Sequence, residues 1–313
     1  MSGILDSVDQ RTQLVGQNRF ELLLFRLGRH QLFAINVFKV KEVLKLPRLN
    51  ALPNSHPVVI GVANMRGQTV PVIDLSAAIG MAPTEITETA HMIVAEYNGT
   101  VQGFLVSDVE RILNLDWADV LPPPVTAGRA HYLTAITRMD DNKLVEIVDV
   151  EKVLAEVSPY TTEVTPGLID DEVMALAQNY EILIVDDSHT ARDQVTRTLE
   201  SLGIRVYEAI NGTDALHQLH AFAGQGQVMS DRFLMVITDA EMPEMDGYRL
   251  TAEIRGDDQL KDMHVVLHTS LSGSFNHAMA EKVGCDDFLP KFESDRLATL
   301  VKNRIIKVHN LQQ

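Results

Sequence analysis

The stretch FLMVITDAEMPEMDGY, from Phe233 to Tyr248, decides how the second half of the chain folds. Its first six residues, 233–238, are apolar or β-prone and run without interruption into Asp239. A continuous apolar run of this length predicts a strand that is buried on both faces of a sheet. Open α/β sheets bind their ligands at the carboxyl ends of such strands. Asp239 is therefore a candidate nucleophile that accepts a phosphoryl group, although one Asp at this place could also simply begin a turn.

The segments around this strand alternate between strand and helix patterns. Four further strands are predicted, at 182–185, 205–210, 264–270 and 287–289. Helical patterns lie between them, and the first begins near Ser188 and ends before Gly203. An alternation of this kind, repeated about five times, predicts a parallel sheet with right-handed crossovers.

The predicted sheet collects polar side chains at one edge. Asp186 and Asp187 follow the first strand, Asp239 the third, Thr269 ends the fourth, and Lys291 comes after the fifth. Three carboxylates in one cleft repel each other unless a cation neutralises them, and an all-oxygen cluster suits Mg²⁺. Asp239 would then attack a phosphorus atom in line, while Thr269, Lys291 and the cation stabilise the phosphoryl oxygens.

Composition limits the classes of protein to consider. The 313 residues leave room for two domains, and the net charge of −16 divides evenly between the two halves. Neither acidic half is typical of a nucleic-acid binder. A single cysteine, Cys285, indicates a reducing compartment. No apolar run is long enough to span a membrane, and the N-terminus lacks the pattern of a signal peptide. We therefore expect a cytoplasmic protein without membrane insertion.

The first half has a different pattern, with many short strands separated by turns. Asn98-Gly99 between two apolar runs is a strong hairpin signal, and Pro71 predicts an edge strand or a bulge for the segment 69–75. This series predicts an antiparallel barrel or sandwich, closed by a helix at 151–157. The predicted organisation is an N-terminal helical segment, an all-β domain, a linker rich in Thr, Pro and Gly at its start, and an α/β domain. Their ranges are 1–19, 20–157, 158–179 and 180–309.

Residues 180–309 resemble response-regulator receiver domains. The motifs that carry the resemblance are ILIVDD, VITDAEMPEMDG, VVLHTS and FLPKF. The resemblance implies a flavodoxin-like fold with strand order 2-1-3-4-5 and phosphorylation by a histidine kinase. It also implies roles for individual residues: Asp239 as phosphoacceptor, Asp186, Asp187, Asp239 and the backbone carbonyl of Glu241 as Mg²⁺ ligands, and Thr269, Lys291 and Phe288 as the phosphate-stabilising and switch residues.

The sequence departs from the receiver pattern in three places. Pro290 precedes Lys291 and Phe292 follows it, so a cis peptide bond after the lysine cannot be assumed. The switch aromatic is Phe288, which has no hydroxyl group, where the family often has Tyr. The segment 223–231 is longer than usual and predicts a longer loop before the third strand.

Residues 20–157 resemble the CheW-like coupling domain of bacterial chemotaxis. The motifs are FRLGRHQLFAINVFKVKEVL, PVVIGVANMRGQTVPVIDL and VQGFLVSDVERIL. The resemblance implies two SH3-like five-stranded barrels that share a core. It also implies two partners, the cytoplasmic tip of chemoreceptors and the chemotaxis histidine kinase. By motif position, the residues that face these partners are Val40, Glu42, Asn64, Arg66 and Gly67.

Simpler roles are open for the same five residues. Val40 could belong to the barrel core, and Asn64 and Gly67 could serve only to build a turn. Arg66 could form a salt bridge within the domain instead of contacting a partner.

The order of the two domains resembles that of CheV-type chemotaxis coupling proteins. The resemblance implies a cytoplasmic adaptor at receptor arrays, with no enzymatic activity beyond the phosphoryl chemistry of its own receiver. One alternative is a phosphate sink that drains phosphoryl groups from the kinase, with the first domain as a tether. A hydrolase of small phosphate esters is a weaker alternative, because the sequence shows no substrate cap domain.

Overall fold

The computed structural model describes most of the chain. The described residues are 19–28, 31–97, 100–116, 119–121, 132–139, 141–157, 163–242, 244–269, 280–291 and 293–309. The predicted N-terminal helical segment up to residue 18, the Asn98-Gly99 turn and the first part of the predicted linker lie outside these ranges. The described residues form three five-stranded sheets, two in the first half of the chain and one in the second.

The first sheet contains strands from both ends of the first domain. Its strands are β1 (Arg19–Leu27), β2 (Gln31–Asn36), β8 (Asp108–Asp116), β9 (Leu133–Arg138) and β10 (Leu144–Val148), in the order β8-β1-β2-β10-β9. β1 and β2 form an antiparallel hairpin in which Phe25 faces Phe33. A short 3₁₀ turn, Val37–Lys39, leads from this sheet into the next.

The second sheet contains the middle of the first domain. Its strands are β3 (Val40–Lys45), β4 (Val59–Met65), β5 (Gln68–Asp74), β6 (His91–Tyr97) and β7 (Thr100–Val106), in the order β3-β6-β7-β5-β4. Phe25 and Phe33 of the first sheet pack in one buried cluster with Ile73 and Phe104 of the second. Two five-stranded units that share a core, as the resemblance implied, are therefore confirmed.

Pro71 does not mark an edge strand. β5 lies between β7 and β4, so the edge alternative was wrong. The other alternative, a bulge, agrees with a register shift between Val59 and Gly61 of β4, beside the residue that pairs with Pro71. The ladder between β5 and β7 runs only from Val72 to Asp74, and Pro71 lies outside it. Because the missing N–H of Pro71 removes no hydrogen bond from that ladder, an interior strand tolerates the proline.

Helices complete the first domain. Helix α1 (Leu75–Ala78) follows β5, and helix α2 (Val150–Val157) follows β10. Asp149 caps α2, because its carboxylate accepts a hydrogen bond of 3.0 Å from the backbone N–H of Lys152. Val153 and Leu154 are buried in the shared core, and Glu151, in the first turn, faces the second domain.

The second domain is a parallel sheet with helices around it. The strands are β11 (Glu181–Val185), β12 (Arg205–Ala209), β13 (Phe233–Thr238), β14 (Val265–Thr269) and β15 (Asp287–Pro290). Their order, β12-β11-β13-β14-β15, confirms the predicted order 2-1-3-4-5. All six residues of β13 are buried, which agrees with the continuous apolar run that predicted this strand.

The helices of this domain begin with α3 (Asp171–Ala177) and α4 (His189–Ser201), followed by α5 (Gly212–Ala223) and α6 (Met229–Arg232), and end with α7 (Gly247–Gly256) and α8 (Ser294–His309). α6 takes up part of the long segment before β13, so that segment is not only a loop. The helix predicted after β14 begins outside the described residues.

Helix α3 lies inside the segment predicted to be a linker. Val173 and Ala177 are buried in the same cluster as Leu297 and Val301 of α8. The predicted linker covers residues 158–179. Its second part, from Ile169 onward, packs with the second domain. The domain boundaries at 158 and 180 stay predictions, and this packing favours an earlier start for the second unit.

Among the residues that the structure describes, no helix combines the length and apolar character needed to cross a membrane.

Candidate functional site

The carboxyl ends of the parallel strands bring the predicted acidic residues together. Asp186 and Asp187 follow β11, and Asp239 follows the neighbouring strand β13. Carboxylate oxygens of these three residues lie within 4.8 Å of one another. Asp186 and Asp239 are buried, and Asp187 is partly exposed. The cluster is the acidic pocket from here on.

Lys291 lies at the centre of the acidic pocket and is fully buried. Its Nζ is 2.7 Å from Oδ2 of Asp186 and 3.0 Å from Oδ2 of Asp239. The backbone N–H of Lys291 donates to the carbonyl oxygen of Thr269 at 3.1 Å. Burial disfavours the charged ammonium, but Asp186, Asp239 and Glu151 outweigh this effect and raise the pKa of Lys291 well above its ordinary value. The side chain therefore carries its charge at neutral pH.

Asp239 is held by backbone groups of the two central strands and the loop that follows. Its N–H donates to the carbonyl of Val185 at 2.7 Å, and its Oδ1 accepts from the N–H of Ala240 at 2.7 Å. Burial raises the pKa of Asp239 to about 8 against the pull of Lys291, and the neighbouring carboxylates add to this increase. A carboxyl group with such a pKa loses its proton when a cation binds beside it.

Gly247 lets helix α7 begin directly beside Asp239. Its N–H donates to the carbonyl of Ala240 at 3.1 Å, and a Cβ at this position would overlap the backbone carbonyl of Asp239. Asp246 caps the same helix, because its carboxylate accepts from the N–H of Arg249 at 2.7 Å. The Asp246-Gly247 pair thus fixes the loop that carries the acidic pocket.

The remaining predicted receiver residues line the same edge of the sheet. Thr269 is buried, and Phe288 packs beside Tyr248 and Leu267. Glu241 is half-buried, and burial together with Asp239 raises its pKa to about 8. The role of its backbone carbonyl stays a prediction. Phe292 lies outside the described residues, and with it the peptide bond after Lys291.

The acidic pocket has the donor set that a hard divalent cation prefers. Asp186, Asp187 and Asp239 supply only oxygen ligands at close spacing. Burial raises the pKa of Asp187 to about 7, and the carboxylate of Asp186 adds to the effect while Lys39 opposes it. A divalent cation would relieve this repulsion, so the residues present fit Mg²⁺.

The first domain contributes a residue to the acidic pocket that the sequence did not single out. Both carboxylate oxygens of Glu151, in the first turn of α2, accept from Nζ of Lys291 at 3.4 Å. Nζ of Lys39 lies 3.2 Å from the same carboxylate. Burial alone would raise the pKa of Glu151, but Lys291 and Lys39 together hold it at about 2. Glu151 is 1% exposed and charged, and it joins the two domains.

Two further contacts flank Glu151 and join the same domains. Nδ2 of Asn36 donates to Oε2 of Glu241 at 3.3 Å. Oγ of Ser188, which caps α4, lies 3.5 Å from Oδ2 of Asp149, which caps α2. The N-termini of two helices, one from each domain, therefore face the same group of carboxylates, and their dipoles favour negative charge there.

The five predicted partner-facing residues belong to the second sheet and its turns: Val40 and Glu42 lie in β3, Asn64 in β4, and Arg66 and Gly67 in the turn between β4 and β5. Val40 packs against the shared core, and Oδ1 of Asn64 accepts from the N–H of Gly67 at 3.3 Å. The Arg66 guanidinium lies 3.2 Å from the Glu42 carboxylate, and both side chains are exposed. This ion pair therefore joins the edge strand β3 to the turn that follows the opposite edge strand, β4. The simpler roles proposed for these residues are therefore present, and a role in partner binding stays a prediction.

The fold and the acidic pocket define a two-domain signalling protein. Residues 21–158 match the model of the CheW-like domain, and residues 182–302 match the model of the response regulator receiver domain. The chemotaxis protein CheV3 of Helicobacter pylori is 30% identical over 270 residues, which cover 85% of this chain and 86% of that protein. CheV1 of the same organism is 28% identical over 320 residues, which cover 96% of this chain and 98% of that protein. The chain thus belongs to the CheV family of chemotaxis proteins.

A solved structure is also similar to part of the chain. It is the receiver domain of a sensor histidine kinase from Pseudomonas aeruginosa, with a magnesium ion coordinated in its active site cleft. The sequence identity is 25%, the match covers 40% of this chain and 96% of that one, and the TM-score is 0.35.

Proposed function

We propose that this chain couples chemoreceptors to the chemotaxis histidine kinase and that phosphorylation of Asp239 adjusts the coupling. The observation that supports phosphorylation of Asp239 is the position of Lys291, whose Nζ is 3.0 Å from Asp239 and 2.7 Å from Asp186. A fixed ammonium at this point neutralises charge on a phosphoryl oxygen, which is the main task of a protein in phosphoryl transfer. The coupling rests on membership of the CheV family.

The proposed transfer begins at a phosphohistidine of the kinase. An oxygen of the Asp239 carboxylate attacks the phosphorus atom, a P–O bond forms, and the P–N bond breaks. The electron pair of that bond returns to the imidazole nitrogen, and because the other ring nitrogen of the phosphohistidine carries a proton, the imidazole leaves as a neutral group. Lys291 and the Thr269 hydroxyl hold the phosphoryl oxygens in place. Mg²⁺ held by Asp186, Asp187 and Asp239 would supply the remaining positive charge.

The first domain supplies the attachment to the signalling complex. We place the contact with the receptor tip or the kinase on the surface around Glu42 and Arg66, because both side chains are exposed. An adaptor of this kind would work in the cytoplasm at receptor arrays. Arg66 is the sharpest position to test, because its ion pair with Glu42 is exposed and contributes little to stability.

The phosphate-sink alternative is less well supported. A sink needs a pocket that the phosphorylated kinase reaches in the resting protein. In this structure the Glu151 carboxylate of the first domain accepts hydrogen bonds from Lys291 within that pocket. We therefore favour the adaptor, in which the two domains influence each other.

The test is phosphoryl transfer from the purified kinase, labelled with radioactive phosphate, to the full chain in the presence of Mg²⁺. Wild type takes up label, and Asp239→Asn takes up none while it still binds receptor and kinase. Label on Asp239→Asn at the wild-type level would show that another residue is the acceptor. The same variants in a reconstituted receptor–kinase assay measure whether phosphorylation changes kinase activity.

A further inference from the structure

The hydrogen-bonding capacity of Lys291 is used up by carboxylates from both domains. An ammonium group has three N–H donors. Three carboxylates lie within 3.4 Å of Nζ, those of Asp186, Asp239 and Glu151. Asp186 and Asp239 belong to the receiver, and Glu151 belongs to the CheW-like domain. A phosphoryl group on Asp239 would take over the contact of Asp239 with Lys291 and bring further oxygens, which compete with the other two carboxylates for the N–H donors.

Glu151 is the one that can leave. Asp186 follows β11 directly, and its Oδ1 also accepts from the N–H of Ser188 at 2.9 Å. Asp239 would itself carry the phosphoryl group. Glu151 is attached to the pocket only through the packing of one domain on the other. We infer that Glu151 and a phosphoryl group on Asp239 compete for Lys291, so that docking of the CheW-like domain and phosphorylation of the receiver exclude each other.

This inference rests on the proposed phosphorylation of Asp239 and adds how the first domain controls it. A phosphoryl group brings nearly two negative charges into the pocket in place of the single charge of the Asp239 carboxylate. Glu151 would then stand beside it in a buried site, where repulsion between like charges is strong. Because coupling between two equilibria is reciprocal, docking that disfavours the phosphorylated receiver must itself be weakened by phosphorylation.

The charges allow the two domains to separate without leaving a buried ion unpaired. Lys39, of the CheW-like domain, is 3.2 Å from Glu151 and stays with it. Lys291 stays with Asp186 and Asp239 in the receiver. Each domain therefore keeps an ion pair of its own after separation. Breaking a buried pair is costly chiefly when one charge is left without a partner, and this arrangement avoids that cost.

The contacts beside Glu151 explain why docking covers the pocket. Asn36 contacts Glu241, and Asp149 approaches Ser188 at 3.5 Å. These pairs hold the CheW-like domain against the loops after β13 and β11, the two strands that supply the acidic residues. A phosphodonor therefore reaches Asp239 only after the CheW-like domain has moved away.

The experiment compares phosphorylation rates of full-length variants with phosphoramidate and saturating Mg²⁺. Transfer from this donor breaks its P–N bond, forms a P–O bond to Asp239 and releases ammonia. Glu151→Gln keeps the shape of the side chain but removes the charge that competes for Lys291, and we expect phosphorylation roughly tenfold faster than wild type. Glu156→Gln, an exposed position of the same helix, is the matched control and should react at the wild-type rate.

The outcomes separate the inference from the proposed function. If Glu151→Gln reacts no faster than wild type while Asp239→Asn takes up nothing, the competition is refuted and the phosphorylation stands. If wild type and Glu151→Gln both fail to take up a phosphoryl group, the proposed function fails as well.

A second measurement follows the size of the wild-type protein. Small-angle scattering of wild type is compared with and without beryllofluoride and Mg²⁺, because beryllofluoride mimics a phosphoryl group on Asp. We expect a larger radius of gyration when the mimic is bound, and no such change in Asp239→Asn. An unchanged radius with the mimic bound to wild type would overturn the inference.

Discussion

At the scale of single residues, the negative charges of the carboxylates in the acidic pocket are opposed by the positive charge of a buried lysine. Asp239 is 4% exposed and bears the raised pKa, and Lys291 bears the opposing charge. Such a group links protonation to stability, because its pKa differs between the folded and the unfolded chain.

The pH dependence of stability follows from Asp239. Its folded pKa of about 8 lies above the ordinary value of 3.8, so the folded protein keeps a proton that the unfolded chain has already released. In the absence of divalent cations the free energy of unfolding should fall between pH 5 and pH 8, by about 1 kcal/mol per pH unit from this group. Urea unfolding in EDTA measures the slope. In Asp239→Asn the slope should be smaller by that amount, and equal slopes would contradict the assignment.

Arg66 allows stability and partner binding to be separated. Its ion pair with Glu42 is exposed on both sides, so losing it should change the free energy of unfolding by less than about 1 kcal/mol. Arg66→Glu should nevertheless weaken binding to receptor or kinase by about tenfold or more, because a repulsive charge enters the proposed contact surface. Lys143→Glu, in another exposed ion pair of the same domain, is the control. Binding that is equal in both variants would remove Arg66 from the interface.

At the scale of secondary-structure elements, the start of α7 fixes the loop after β13. The close approach of Gly247 to the Asp239 backbone leaves no space for a side chain. Asp246 caps the helix, so the helix and the acidic pocket are joined by a few rigid residues.

Two glycines of α7 make a matched pair of variants. Gly247→Ala must push the helix away from the Asp239 carbonyl, and we expect a loss of about 2 kcal/mol or more in the free energy of unfolding together with slower phosphorylation. Gly256→Ala, at the other end of the same helix, meets nothing within 4 Å and should be neutral or slightly stabilising. Thermal unfolding of both variants checks this, and a Gly247→Ala protein as stable as Gly256→Ala would contradict the packing.

At the scale of the whole molecule, two domains with separate cores meet at a charged junction. The junction is built around Glu151 and Lys291, which are 140 residues apart in the chain. The free energy of the docked state thus depends on a few ion pairs, and a change of charge in the junction can shift it.

Glu151→Lys should separate the domains without a phosphodonor. The new ammonium would face Lys39 and Lys291, so attraction becomes repulsion. Hydrogen exchange followed by mass spectrometry should then be faster in segments 147–153 and 186–192, which face each other when the domains are docked. Glu156→Lys, on the exposed side of the same helix, is the control. Unchanged exchange in both segments would show that the junction does not depend on Glu151.

The sequence by itself determined most of the receiver and the content of its pocket. Asp186, Asp239, Thr269 and Lys291 come directly after or at the ends of predicted strands, and parallel strands of one sheet end at the same edge. Their proximity therefore follows from local patterns together with the topology. Strand and turn signals also predicted an all-β first domain, and the resemblance to the CheW-like domain implied the two five-stranded units that the structure contains.

Only the tertiary structure decided that the first domain enters this pocket. Glu151 is an ordinary acid in the first turn of a helix, a place where acids are common, so its local pattern carries no sign of a distant partner. Its contact with Lys291 exists because two folded units pack with their helix N-termini facing each other. That packing depends on the shapes of both surfaces, which arise only after each unit has folded, and it makes the candidate phosphoacceptor site a junction between the two domains.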